Sequence, residues 1–490
     1  MSKKNGNTSL LQQGAEKPII AQLDQKKGGV NTVIMTNFKC DQNQVPTQSA
    51  NGSTVPLVDT RKADPEVGDY DPFQHRANLP HPTSDLDTLI HLLKGCLGSG
   101  ILAMPLAFHH AGLFFGLICM FIIGIICTYC VHILVKSAHE IYRRQRVSAL
   151  GFAEVAEAAF LIGPKGFHPW AKFAKAMINF FLVVDLIGCC CVYVLFVAKN
   201  LKQVVDGYTE EEYHYDVRIY MAALLPFLIC TNLIRNLKYL APLSMVANVL
   251  VAVGLGITFY YIFNGLPPLS SRPHFASVST LPAFFGTAIF ALEGIGVVMP
   301  LENNMKTPGH FIGCPGVLNI GMFFVVILYA SVGFFGYLRY GDDVKVGSIS
   351  LNLPDEPLAQ SVKVMIAVAI FCTYALQFYV PMEIIWKAVK NNFNRKTLAE
   401  YSIRASLVIV TVVMAILIPN LGAFISLVGA VCLSMLGLIF PSIIELVTFY
   451  EDPGLGRFNW RLWKNMFLIM FGLLGFVTGT YVSIQEIIQG

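Results

Sequence analysis

Eleven apolar runs, each long enough to cross a hydrocarbon core of about 30 Å, constrain what residues 86–490 can become. They lie at about 86–108, 113–139, 174–199, 218–234, 240–263, 281–301, 316–338, 362–386, 404–419, 422–447 and 465–485. No gap between them holds a separate soluble domain. Backbone N–H and C=O groups find no water inside a bilayer, so a spanning chain is a helix or a closed barrel. These runs are too long and too evenly apolar for the alternating strands of a barrel. The expected fold is therefore all-α, a polytopic membrane protein with 11 transmembrane helices. Composition agrees, because only 13% of residues are charged, against about 25% in soluble domains. That excludes an ordinary soluble enzyme. The basic residues form no stripe, which argues against a nucleic-acid partner.

Residues 1–85 differ in kind. They are rich in Gln, Asn, Thr, Ser, Gly, Pro and Asp and have no sustained apolar period. Such a composition buries too little surface to offset ordering entropy, so a disordered tail is expected. Met1-Ser2-Lys3-Lys4 begins no apolar signal segment, and Ser2 excludes N-myristoylation. With this tail in the cytosol, the loops on its side carry 16 Lys and Arg and those on the other side 7. The positive-inside rule favours that orientation. An odd number of spans then places the C-terminus on the exoplasmic or lumenal side. In that orientation the glycosylation triplets at Asn7 and Asn51 are never used. The 12 cysteines lie mostly inside apolar runs, without zinc spacing, and read as buried thiols.

Two runs are interrupted. The first reads His91-Leu92-Leu93-Lys94-Gly95-Cys96-Leu97-Gly98-Ser99-Gly100-Ile101. Each glycine costs roughly 1 kcal/mol against Ala in a helix interior, so three in six residues break it. The sixth reads Phe290-Ala291-Leu292-Glu293-Gly294-Ile295-Gly296, with a carboxylate at the break. Paired interruptions at corresponding places in two halves point to a substrate site at mid-membrane. Unwound backbone leaves polar groups in need of partners, and a polar solute supplies them. The N–H groups of Gly98, Ser99, Gly100 and Ile101, at a helix N-terminus, suit a carboxylate. The carbonyls near Phe290 and Ala291 suit an ammonium. A zwitterion matches both ends. The competing reading makes the glycines packing points between closely crossing helices. The two breaks and the buried Glu293 favour a site, lined by Gly95, Gly98, Ser99, Gly100, Ile101, Phe290, Ala291, Glu293 and Gly294.

These residues resemble a known family. The first run, continued by Leu102 and Pro105-Leu106-Ala107, is similar to the first span of the proton-assisted amino acid transporters. These belong to the amino acid/auxin permease branch of the amino acid–polyamine–organocation superfamily. Phe284-Phe285-Gly286-Thr287-Ala288-Ile289-Phe290, Pro300-Leu301-Glu302-Asn303, Thr373-Tyr374-Ala375-Leu376-Gln377 and Ile425-Ser426-Leu427-Val428-Gly429 continue the pattern in order. The resemblance covers about 86–490 and is nearest an insect subgroup. It implies an inverted 5+5 repeat core (LeuT-like) plus one extra C-terminal helix. It also implies symport of protons with small neutral amino acids toward the cytosol, no cofactor beyond the coupling ion, and a proton-coupling role for His91. Relatives with cysteines in two outside loops differ here, because Val205–Tyr208 and Leu353–Glu356 contain none.

Single residues divide between functional and structural readings. An ordinary His titrates near pH 6.5 and can sense a modest acid gradient. His91 therefore carries the proton, or donates to a carbonyl at a helix crossing. Glu293 carries a proton, pairs with His91, or braces unwound backbone. Asp185 reads as a structural hydrogen-bonding group. Tyr374 and Gln377 are candidates for the cavity, with helix–helix bonding as the alternative. Lys136, His139, Glu383 and Glu445 read as side chains reaching to the interface. Lys94, close to the first break, is a candidate for the cytosolic vestibule. An alternative function is an amino-acid sensor that transports slowly and signals through a partner docked on the tail. Sodium coupling is a further alternative, since unwound carbonyls also bind Na⁺. No nucleotide-binding GxxxxGK[ST] occurs.

Overall fold

The first membrane helix forms in two pieces, each with a local cause. Ser84 caps helix α1 (Asp85–Cys96): its hydroxyl accepts from the Asp87 N–H, and the Asp87 carboxylate reaches back to the Ser84 N–H. Asp85 and Asp87 in the first turn and Lys94 in the last complement the helix dipole. Gly95 and Gly98 then withdraw helical preference, and Leu97 turns out of the helix at φ −83°, ψ 81°. Helix α2 (Gly100–Ala111) starts afresh, bent 57° from α1. It ends at Gly112, whose φ of 92° favours glycine. A Cβ there would sit 2.6 Å from the Phe275 backbone. The loop is held on that spot by Leu113 N–H to Pro273 O, Phe115 N–H to His274 O and Ala276 N–H to Ala111 O.

This computed structural model describes residues 71–74, 82–234, 237–292, 294–344 and 347–489, and no side chain between 235 and 244. Expectations for residues 1–70, and for Glu293, lie outside the described residues. The remaining helices are α3 (Leu113–Gln145), α4 (Phe152–Ile162), α5 (Ala171–Asp206), α6 (Val217–Asn232), α7 (Leu237–Phe263), α8 (Leu281–Ala291), α9 (Ile295–Asn303), α10 (Val317–Tyr340), α11 (Pro357–Val389), α12 (Lys396–Leu417), α13 (Leu421–Val428), α14 (Phe440–Thr448) and α15 (Trp460–Gln489). A π-helical stretch, Gly429–Ile439, joins α13 to α14.

Every apolar run carries a helix. Among the described residues, nine helices are long and apolar enough to span, or ten with the bent α1–α2 pair counted as one. The fourth run forms α6, an apolar helix of 16 residues, below that length. The chain is thus an all-helical, multi-pass membrane protein. One expected loop is a helix instead: α4 lies within the connection 142–172. Its apolar Phe152, Val155, Ala156 and Ala159 recur at helical spacing and are buried, with α4 packed on α5.

Burial sorts the helices. The sixth and tenth runs are 71% and 72% buried, whereas Met245–Phe263 and α15 are 28% buried. The broken sixth run therefore sits in the middle of the bundle, with α2, α13 and the π-helical stretch around α8. Helix α15 lies outside and packs on α8, α13 and the π-helical stretch. Among the described cysteines, Cys230 and Cys314 are exposed.

Candidate transport site

The two interrupted runs meet at their breaks. A Cβ on Gly100 would lie 2.7 Å from Ala291 Cα, so the start of α2 touches the end of α8 backbone to backbone. Across the other halves, a Cβ on Gly294 would lie 2.8 Å from Cys96 Sγ, and one on Gly95 3.0 Å from Val297 Cγ2. Gly95, Gly98, Ser99, Gly100, Phe290, Ala291 and Gly294 thus gather in one region, and Ile101 and Phe290 are buried in the same core. Close packing needs the glycines here, as the competing reading held. That reading does not exclude a site, because the polar groups at the break still require partners.

Those partners are partly supplied. Tyr329 of α10 donates its hydroxyl to the Cys96 carbonyl at 2.7 Å, and the Gly98 N–H reaches the same oxygen at 3.1 Å. The Leu102 N–H bonds Ser99 O at 3.1 Å. The Ser99 hydroxyl is buried, with 5% exposure, and makes no hydrogen bond among the described residues. From Gly98, the nearest atom a Cβ would meet is the Tyr193 hydroxyl of α5, 4.0 Å away. The break therefore presents a helix N-terminus, an unsatisfied hydroxyl and a facing phenol. On α8, the Leu292 N–H bonds the Ala288 and Phe290 carbonyls. The opposite wall is set by the tenth run. A Cβ on Gly429 would lie 2.0 Å from Gly286 O. Ser426 donates to Ala283 O at 3.2 Å and accepts from Ser483 of α15 at 2.9 Å.

His91 is buried on α1, one turn before Gly95, where α1 packs on α9 and α10. Asp185 is buried within α5. Of the two readings of Tyr374, cavity or helix–helix bonding, its contacts fit the second. Its hydroxyl pairs with Thr411 of α12 at 2.7 Å and its ring stacks on Phe378, while α11 packs mainly on α5 and α7. Hydrogen bonding between helices accounts for it. Two of the interface-reaching side chains are differently used. Glu445 is buried and accepts from Lys464 at 2.5 Å and from Asn465 at 2.8 Å. His139 meets the fully buried Glu302 at 2.8 Å. Tyr193 and Tyr329 are absent from the sequence reading, since an isolated Tyr in an apolar run carries no local signal.

The family model described as transmembrane amino acid transporter protein matches residues 81–485. The chain is 47% identical over 466 residues to the Drosophila melanogaster proton-coupled amino acid transporter-like protein pathetic, covering 94% of this chain and 98% of that one. It is 26% identical over 415 residues to the Caenorhabditis elegans probable amino acid transporter skat-1, covering 82% and 89%. Among solved structures, the nucleobase-cation-symport-1 family transporter Mhp1 in a closed conformation matches with a TM-score of 0.49 at 15% identity, over 86% of this chain and 94% of that one.

Proposed function

Because the chain belongs to the transmembrane amino acid transporter family, we propose that it carries small neutral amino acids together with protons toward the cytosol by alternating access. One observation carries this reading: two broken membrane helices cross at their breaks, beside a buried hydroxyl that makes no hydrogen bond among the described residues. The substrate carboxylate binds the N–H groups of Gly98, Ser99, Gly100 and Ile101 and the Ser99 hydroxyl. The substrate ammonium binds carbonyls at the end of α8, near Phe290 and Ala291. Close packing of Gly100 on the Ala291 backbone and of Gly294 on the Cys96 thiol favours a small side chain. Glu293 braces the second break or carries a proton. His91 takes the coupling proton on the half-helix that leads into the first break. The 47% identical relative, named as proton-coupled, supports the choice of ion.

We place the protein in the membrane with eleven spans and a 5+5 repeat. The support is that the breaks fall in the first and sixth of eleven apolar runs. The tail faces the cytosol and the C-terminus the exoplasm or a lumen, at the plasma membrane or a lysosomal or late endosomal membrane. A gradient of one pH unit is worth about 1.4 kcal/mol, and 60 mV adds about 1.4 kcal/mol per charge. At one proton per substrate, this concentrates a zwitterion roughly 100-fold without a nucleotide.

The test is uptake of labelled alanine, glycine and proline by expressing cells at about pH 5.5 and pH 7.4, with sodium replaced. Acid-stimulated, sodium-independent uptake with inward current is expected. His91→Ala abolishes the acid stimulation. Sodium-dependent uptake, or a His91→Ala profile like that of the wild type, refutes the corresponding assignment.

A further inference from the structure

The half-helix α9 packs on α1 at one end and is tied by polar contacts at the other. Its start follows the break at Gly294. Its far end is held by polar contacts from three directions. Glu302, fully buried, meets His139 of α3 at 2.8 Å. Asn303 accepts from the Tyr142 hydroxyl at 3.1 Å and donates to Leu150 O at 2.9 Å. The segment before α1 closes the third side. The Thr83 N–H bonds Asn304 O at 2.8 Å, and the Lys306 N–H bonds Thr83 O at 3.0 Å. Asp85 then takes the Thr307 hydroxyl and His310 Nδ1, each at 2.8 Å. This end is the face where the tail enters.

Among these ties, the His139–Glu302 contact is the one a proton remodels directly within the membrane bundle. A carboxylate with no solvent exposure is held by its partners, and protonation removes its charge and one acceptor position. His139 has a water route. It lines a cleft of about 420 Å³ with Asp71, Phe73, Lys136, Glu140 and Arg143, and the Phe73 ring meets it edge-on at 4.9 Å.

Other ionisable groups stand on the elements around the pair, with Lys136 and Asp71 in the same cleft as His139. Glu140 is bound by Arg143 and Arg144. Helix α1 packs on α9 and carries Asp85, Asp87, His91 and Lys94. Helix α4 carries Glu154 and Glu157, both on Lys175. Helix α14 carries Glu445, on Lys464.

We propose that His139 and Glu302 form a proton-operated latch on the tail-side exit of the transport path, acting as positioning residues for α9. A proton arriving with the substrate binds the Glu302 carboxylate while His139 keeps its own. The contact weakens, α9 swings away from α3 about the break at Gly294, and substrate leaves. The proton then passes from Glu302 to tail-side water, and the latch re-forms. The latch rests on the transport reading above and adds a second proton site to it, on the opposite side of the break from the substrate.

The test uses the full chain in proteoliposomes, sorted for orientation by an epitope on the N-terminal tail. Counterflow of labelled alanine is measured with the far-side pH fixed and the tail-side pH moved from about 5.5 to about 7.5. Wild-type counterflow should change about fivefold across this range. Glu302→Gln mimics the protonated carboxyl, so its counterflow persists and keeps only the smaller response to tail-side pH that His91 supplies. His139→Asn should behave in the same way and stands in if the first variant does not assemble. Either variant keeping the wild-type response to tail-side pH overturns the latch, as does loss of counterflow in both, which marks a structural brace. Wild-type chain without alanine counterflow overturns the transport reading, and the latch with it.

Discussion

Adding one methyl group at Gly100 tests whether the two breaks must touch. The new Cβ would stand 2.7 Å from Ala291 Cα and 3.2 Å from Ala291 Cβ, whereas ordinary contact begins near 3.4 Å. The start of α2 must therefore retreat by about 0.7 Å, against backbone rather than a movable side chain. Overpacking of this kind costs about 1–3 kcal/mol. The gain in helix preference is at most about 1 kcal/mol, and less at the first residue of a helix. The net penalty of about 1–2 kcal/mol falls on the conformation in which the breaks meet. Transport through that conformation drops about 5- to 30-fold. The assay is the initial rate of labelled alanine uptake at low concentration, per unit of protein at the membrane. Gly256→Ala is the control, since its Cβ would meet nothing within 4 Å. Gly100→Ala transporting within about twofold of that control would refute the argument that backbone contact at this point is required.

Two further outcomes follow from the packing. Tyr329→Phe removes the 2.7 Å hydrogen bond to the Cys96 carbonyl, costs about 1 kcal/mol, and slows alanine uptake several-fold without changing the amount of protein at the membrane. Gly124→Ala drives a Cβ to 2.5 Å from Val326 Cγ2 and lowers thermal stability in detergent by about 1–3 kcal/mol, and Val326→Ala in the same chain restores most of it; failure of the pair to compensate removes that α3–α10 contact as the cause.

The apolar runs were readable because spanning a bilayer is a property of a stretch of chain and needs no distant contact. The break in the first span was readable for a similar reason: Gly95, Gly98 and Gly100 withdraw helical preference locally. What touches what was not. The Tyr329 bond to Cys96 joins positions 233 apart, and His139 meets Glu302 across 163. Tyr374 kept two readings in the sequence because α11 is apolar all round, so periodicity does not say which side faces α12. His139 looked like an interface residue because its partner sits on the inner half of a broken helix, and only folding shows where that half ends. Helix α4 is equally local: Phe152, Val155, Ala156 and Ala159 have helical spacing inside the connection 142–172.

The distribution of thiols gives the chain an internal reporter. Buried cysteines such as Cys189, Cys190 and Cys191 are screened from water-soluble reagents, and Cys230 is exposed on an apolar helix. Cys314 is exposed in the connection between α9 and α10, four residues beyond His310, the partner of Asp85. A membrane-impermeant maleimide added from the tail side should therefore label Cys314 in preference to the other described thiols. Its labelling rate would follow movement at the foot of α9 during turnover, in a chain whose tail cysteine, Cys40, is replaced by Ser.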